Sequence, residues 1–456
     1  MKFFICDKSE KFTKTEYNSF GKWHFYHDDK VSLYEGSDFI VLYCGYLIEG
    51  DIEEVVANFS FHQQNGNFFA VKLTKHDYEI SIDYFQNHKI FVAEKYGIEI
   101  TNHMPFMSCE KSDVGLTRYP LTEREFGIDE NKTYYKHINA YMPDFDYVTD
   151  SKKAFASGGW DFDELTEYIH SCMLQHSNVI KSKYKKRFIS LSEGVDSLLQ
   201  SQYFYDDPQY VYGISSEGEY WRKKAAKRFP NARYDVIPTD GEIGKENTYK
   251  YFIDPSSRRQ TILPTMKQIS DCEQKPDIVL YGVNADEIFV KELNPHMFMV
   301  GLEFFFDQNR KEILHKELVD KKNQYGIKYS LSDDMLRWAN IFINKYIENE
   351  KDCNNFEYNF HTFLTPKFYT RAISANNDVI TGSLYNDRRF FHEFMKFPKD
   401  WLIENAMDIP FHKKILKEKF GKEIETPYKD AVDGDYTGIW DNHFDVTAPS
   451  CLEQNL

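Results

Sequence analysis

Two domains are predicted by the sequence: an N-terminal α+β domain of stacked antiparallel sheets, and a C-terminal α/β domain built on a doubly wound parallel sheet with added helices. Three observations predict them. Short apolar runs recur about every ten residues in the first 150 positions, the spacing of antiparallel strands in two layers. From residue 187 such runs alternate with helix-like segments, the pattern of a parallel sheet covered by helices. Between these regions, residues 151–160 are small and polar and carry two adjacent glycines, which reads as a linker. The expected divisions are therefore 1–150, a linker at 151–160, 161–440, and an irregular tail at 441–456.

Each element has its own signal. Residues 39–46 form an apolar run that predicts a buried strand, and residues 67–73 and 78–83 predict a hairpin around Lys75-His76-Asp77. Residues 88–93 predict another strand, and Cys6 falls inside the first one. Asp161 and Asp163 offer N-cap chemistry to a helix whose positions Leu165, Tyr168, Ile169, Cys172, Met173 and His176 follow at helical spacing. The parallel strands are expected at 188–191, 209–214, 234–237 and 277–281, with helices near 220–229 and 265–271. Beyond residue 290 the pattern is read as mainly helical, as in 335–344 and 390–397.

Composition narrows the function classes. The chain has 456 residues, 41% of them hydrophobic and 17% aromatic, enough apolar surface for more than one core. A formal net charge of −16 disfavours nucleic acid as a partner, since nonspecific binding needs many exposed cations. Seven scattered cysteines without a CxxC pair read as reduced thiols rather than a disulfide framework or zinc site. The first residues meet Asp7 and Glu10 too soon for a signal peptide, and no run of 18 apolar residues predicts a membrane span. The expected location is the cytoplasm, that of a host cell if the AT-rich residue usage reflects a viral gene. Oligomeric state is left open.

The most informative segment is Ser192-Glu193-Gly194-Val195-Asp196-Ser197. It follows a predicted strand ending at Leu191 and precedes a predicted helix. A small-residue loop at a helix N-terminus gathers backbone N–H groups toward one spot and favours an anion there. A pattern fixing four letters arises by chance roughly once in a hundred chains of this length, and the flanking elements make chance rarer. Asp196 would oppose a bare phosphate, so it is read as a magnesium ligand, and Ser192, Gly194 and Ser197 as donors to phosphate oxygens. A second segment, Tyr281-Gly282-Val283-Asn284-Ala285-Asp286-Glu287-Ile288-Phe289, ends another strand in a glycine turn with two acids. The competing reading of those acids is a helix N-terminus stabilised by negative charge, without chemistry.

In this order and spacing the two motifs resemble the synthetase domain of the asparagine synthetase family, whose patterns are close to L-S-G-G-x-D-S and S-G-E-G-A-D-E-x-F. Leu384-Tyr385-Asn386-Asp387-Arg388-Arg389 is similar to that family's P-x-x-D-R-R helix start, and Thr426-Pro427-Tyr428-Lys429-Asp430 to a late segment carrying a lysine. Ile253-Asp254-Pro255 and Leu263-Pro264 match a D-x-P region more loosely. The resemblance covers about residues 160–435, and the region before it resembles the family's glutaminase domain in layout. It implies an adenine nucleotide α-hydrolase-like fold and an ATP pyrophosphatase activity: ATP and Mg2+ are used to adenylate a carboxylate, and an amine then forms the amide. By the same resemblance Leu191, Ser192, Gly194, Val195, Asp196, Ser197, Gly213, Ile214 and Gly282 would contact ATP. Asp196 and Asp286 would hold magnesium, and Lys429 and Glu287 would act on the reacting groups.

Three departures qualify these expectations. Glutamine-hydrolysing members carry a cysteine whose own α-amine is the base. Here Met1 is followed by Lys2, and Cys6 cannot offer an α-amine, so no glutaminase activity is expected, as in β-lactam synthetase and lasso-peptide cyclases. Glu193 replaces a loop glycine; about 6 Å from a phosphate charge its repulsion would be roughly 3 kcal/mol at an effective dielectric of 20. Val283 stands where amide-forming members often have a glutamate, and valine cannot take a proton. The expectation is thus an AMP-forming amide ligase without glutamine hydrolysis, acting on a small-molecule or peptide carboxylate and an amine. The alternatives are a non-catalytic nucleotide-binding protein on the same fold, or an enzyme adenylating a nucleic-acid base. His24-x-x-His27 is read as part of a surface strand or turn, not a metal site.

Overall fold

The computed structural model describes residues 1–12, 16–103, 106–107, 137–141, 159–191, 194–206, 210–214, 229–230, 232–237, 275–282, 284–289, 379–394, 396–398, 401, 405 and 408–424. The expected linker at 151–160 except Gly159 and Trp160, the expected helix at 220–229 except Phe229, the helix at 265–271, the segment 335–344, the loose D-x-P matches and the tail lie outside them, as do Ser192, Glu193, Val283 and Lys429.

The N-terminal region builds two antiparallel sheets. One contains β1 (Phe3–Cys6), β2 (Asn18–Phe20), β3 (Trp23–His27), β8 (Phe91–Ala93), β9 (Glu99–Thr101) and β10 (Ile138–Ala140), in the order β10-β8-β9-β1-β3-β2. The other runs β4 (Ser32–Glu35), β5 (Phe39–Leu47), β6 (Gly66–Thr74) and β7 (Tyr78–Ile82) in sequence. Alternation decides which side chains meet. Phe3 and Ile5 of the first sheet join Leu42, Cys44, Tyr46, Phe69 and Val71 of the second in one buried cluster. Val41, Tyr43, Phe68 and Ala70 point the other way, against Val55 and Val56 of α1 (Ile52–Asn58). The expected strand at 88–93 begins only at Phe91; residues 83–90 form a buried turn, held by Asn87 backbone and amide N–H groups donating to the Asp83 carboxylate. His24 and His27 sit on β3 three residues apart, hence on opposite faces.

The C-terminal region opens with α2 (Phe162–Lys183), where the Asp161 side chain accepts from Glu164 N–H at 2.8 Å as an N-cap. Of its expected positions Leu165, Ile169, Cys172, Met173 and His176 are buried, while Tyr168 is half-buried. A five-stranded parallel sheet follows: β11 (Arg187–Ser190), β12 (Tyr210–Ile214), β13 (Arg233–Ile237), β14 (Ile278–Leu280) and β15 (Ile380–Gly382). Its order is β13-β12-β11-β14-β15, that is 3-2-1-4-5. β15 is a strand that the expectation of a mainly helical region beyond residue 290 did not include. Its three residues are too few to show a period, and it is held by pairing with β14, Ile278 opposite Ile380. Helices α3 (Val195–Gln202), α4 (Ala285–Ile288), α5 (Arg388–Phe394) and α6 (Pro410–Phe420) complete the described fold. The buried cluster that fills the N-terminal sheets continues through Ile189, Leu280 and Ile380 to Leu416, so the two regions meet through one apolar core. No helix among the described residues is long and apolar enough to cross a membrane.

Buried titratable groups give this core a defined pH response. Burial pushes the imidazoles of His88 down to about 3 and His176 down to about 4. Burial also pushes the Asp83 carboxyl up to about 7, against the N–H groups of Asn87 and Phe85 that favour its charged form. Between about pH 4 and 6.5 the unfolded chain binds two more protons at the histidines and one fewer at Asp83. Stability is therefore expected to rise with pH there by at least the equivalent of one proton, about 1.4 kcal/mol per pH unit, and His170, also lowered by burial, adds in the same direction. Above 6.5 only the Asp83 effect remains, and stability falls slightly until pH 7. In Asp83→Asn the rise below pH 6.5 should steepen by about one proton. Urea midpoints measured across this range check it; an unchanged slope would mean that Asp83 ionises in the fold as it does in the unfolded chain.

Candidate functional site

The carboxyl ends of β11 and β14 define the site. In a 3-2-1-4-5 sheet the direction of winding reverses between strands 1 and 4, and crossover connections leave a crevice outside their carboxyl ends. Strands 1 and 4 are β11 and β14, hydrogen-bonded neighbours with Ile189 opposite Leu280. Leu191 and Tyr281, both buried, carry each strand to its end. The first motif leaves one strand and the second leaves the other, so the fold brings the two together from ninety residues apart.

Local chemistry explains how close they come. Gly194 is the N-cap of α3, with φ −68° and ψ 144°, and lacks a side chain to occupy the first-turn N–H groups. Those groups belong to Val195, Asp196 and Ser197, the residues expected to face an anion. Gly282 lies directly against this turn: a Cβ there would stand 2.8 Å from Ser197 N and 3.0 Å from Ser197 Cα. Glycine is thus required because one backbone packs on the other. The Ser197 hydroxyl donates to Gly194 O at 2.9 Å, tightening the turn itself. Gly213 and Ile214 end β12 beside β11.

Asp196 is held on two sides. Its Oδ1 lies 2.9 Å from Nε2 of His412, a fully buried residue of α6, while the Asp196 side chain remains 16% exposed. Its backbone carbonyl accepts the Tyr385 hydroxyl at 2.8 Å. Phe289 packs edge-on to His412 with ring centroids 4.6 Å apart. Asn284, standing where the family pattern has glycine, adopts φ +70°, a left-handed conformation that Asn tolerates better than most residues. It turns the chain from β14 into α4, whose backbone carries Asp286 and Glu287; the side chains of these two lie outside the described residues.

The segment from Ser383 to Arg389 knits the site to the rest of the molecule. Leu384 N–H donates to Gln200 Oε1 of α3 at 2.9 Å. Asp387 caps α5 by accepting from Arg389 N–H at 3.0 Å, so the expected helix start falls where the motif put it. His412, Tyr385 and Asn386 are the neighbours that sequence reasoning missed as site residues. Tyr385 and Asn386 lie inside the Leu384–Arg389 motif, but nothing in it announces that Tyr385 meets Asp196 or that Asn386 meets Asn284. His412 carried no signal at all.

The donor set fits an anion and, in part, a metal. The helix start and the glycine contact suit phosphate oxygens. Asp196 offers carboxylate oxygen, although one of its atoms already faces His412. Among the described residues no group of three or more His, Cys, Asp or Glu side chains converges, so a magnesium shell would draw on Asp286, on phosphate and on water. The thiol of Cys6 is buried in β1, donates to Lys8 O, and is pushed by burial up to about 11, which keeps it protonated and a poor nucleophile. No protein-family model matches the chain, and no curated protein matches it.

Proposed function

We propose that this protein is an ATP-dependent, AMP-forming ligase of the asparagine synthetase type, which activates a carboxylate and joins it to an amine without hydrolysing glutamine. The observation that carries this reading is the convergence of the Leu191–Ser197 and Gly282–Glu287 motifs at neighbouring strand ends, where the winding of the sheet reverses. The α3 N-terminus would hold phosphate oxygens, and Asp196 and Asp286 would hold magnesium. When bound, that ion would neutralise charge growing on the α-phosphate as the substrate carboxylate attacks and pyrophosphate leaves. Gly282 keeps the wall of the crevice thin, and His412 with Tyr385 fixes Asp196 in orientation. Lys429 and Glu287 are the candidates for stabilising charge and moving protons on the amine side.

A second reading, a nucleotide-binding protein without turnover, is favoured by the His412 contact, since it engages one oxygen of the carboxylate meant for metal. Calorimetry with ATP and Mg2+, followed by ATP–pyrophosphate exchange with aspartate and a panel of carboxylates, separates the two. Binding with exchange supports the ligase. Binding without exchange for any carboxylate supports the second reading, and absence of binding rejects both.

A further inference from the structure

The second motif is anchored from the N-terminal sheets by a chain of side-chain amides. Asn284 Nδ2 donates to Asn386 Oδ1. Asn386 Nδ2 donates to Asn87 Oδ1 at 3.0 Å. Asn87 Nδ2 donates to Asp83 Oδ1 at 2.7 Å, and its backbone N–H reaches Asp83 Oδ2 at 2.9 Å. All four residues are buried, none more than 3% exposed. The direction of the chain is set at one end. Asp83 Oδ1, which already receives the backbone N–H groups of Phe85 and Asn87, acts there as an acceptor. Asn87 must therefore turn its amide nitrogen toward Asp83 and its carbonyl toward Asn386, and Asn386 in turn must present its own carbonyl to Asn284.

Asn284 is the residue at stake. A left-handed backbone in a residue other than glycine costs about 1–2 kcal/mol and persists where surrounding contacts over-determine it. Its amide nitrogen bonds sideways to Asn386. The turn it makes sets the direction of α4, and Phe289 at the end of that helix packs on His412, the partner of Asp196. One small rotation at Asn284 would thus move both halves of the crevice.

We propose that Asn386 is a positioning residue for the nucleotide site: it locks the Asn284 turn, and with it helix α4, against the Asp83–Asn87 turn of the N-terminal sheets. This rests on the ATP-binding reading above. It assigns the N-terminal region a task besides any chemistry of its own, as the rigid wall against which the crevice is set. Outer contacts of this kind are worth 10–100-fold in metal affinity where they have been removed.

The test is calorimetry with ATP and Mg2+, together with thermal melting, on the full chain and four variants. Asn386→Ala is expected to raise the ATP–Mg2+ Kd about tenfold or more and to shift the Mg2+ midpoint upward. Asn386→Asp keeps an acceptor for Asn284 but opposes the Asn87 carbonyl with a second buried acceptor, and should raise Kd at least as much as Asn386→Ala. Asn87→Ala cuts only the far link and should raise Kd less than Asn386→Ala does. Asn67→Ala is the control, because Asn67 crosses the same interface to Thr381 O at 2.6 Å without touching the Asn284 turn. It should lower the melting temperature and leave Kd unchanged. A Kd for Asn386→Ala within twofold of the parent would overturn the proposal, and so would an equal rise in Asn67→Ala, which would mean general loosening. If the parent chain binds no ATP–Mg2+, the ligase reading fails first and this proposal with it; if the parent binds and Asn386→Ala binds equally well, only the positioning role falls.

Discussion

Replacing Asp387 with alanine is expected to destabilise the protein by about 3–5 kcal/mol, the range for leaving a buried charge without its partner. Asp387 is fully buried and accepts four hydrogen bonds: Arg389 Nε at 3.0 Å, Arg389 Nη2 at 2.6 Å, Asn65 Nδ2 at 2.7 Å and Arg389 backbone N–H at 3.0 Å. The first two form a fork on one guanidinium, the strongest arrangement open to this pair. The third ties the N-terminal sheets to α5, and the fourth is its N-cap, itself worth about 1 kcal/mol. Alanine removes all four at once and strands Arg389, whose remaining partners are Gln175, Cys172 O at 3.3 Å and the half-exposed Glu49 at 2.9 Å. Urea unfolding measures the loss. Asp387→Asn keeps the shape and the cap while removing the charge, so it should cost less than alanine. A cost under about 1 kcal/mol for Asp387→Ala would mean that Glu49 already carries Arg389.

Asp196→Asn is expected to lower ATP–pyrophosphate exchange by at least about a hundredfold while the fold survives. Even outer partners of a metal are worth up to that factor, and Asp196 is assigned as a direct ligand. The amide has the same shape, so the turn at Gly194 and the Tyr385 bond to the Asp196 backbone carbonyl are retained. What is lost is the negative charge that faces His412 and, on the ligase reading, would bind magnesium. Thermal melting of the variant separates a chemical effect from unfolding. If Asp196→Asn binds ATP and Mg2+ as tightly as the parent, the carboxylate serves only as the structural partner of His412, and the magnesium assignment is wrong.

Much of the secondary structure could be read locally. β5 and the β6–β7 hairpin are continuous apolar runs joined by a polar turn, and α2 shows helical apolar spacing behind an aspartate N-cap. Four of the five parallel strands were legible as runs followed by small-residue turns. β15 was not, because three residues carry no period and their state is decided by pairing with a strand a hundred positions earlier. The site divides in the same way. Asp196, Gly194 and Gly282 announced themselves because loop geometry demands small residues and a charge in a fixed local order. His412 stood among the buried apolar residues Phe411, Ile415 and Leu416, where a histidine reads as one more core residue.

Residue order along the chain was enough to say that two loops rich in small and acidic residues each end a strand and open a helix, since strand, turn and helix signals act over a few neighbouring positions. That β11 and β14 lie side by side, that Gly282 touches Ser197, that His412 and Tyr385 close on Asp196, and that Asn386 bonds Asn284 emerged only from packing. Such contacts join residues up to about two hundred positions apart. They are selected by the burial of one shared core, whose energy depends on the whole arrangement and on no short stretch of it.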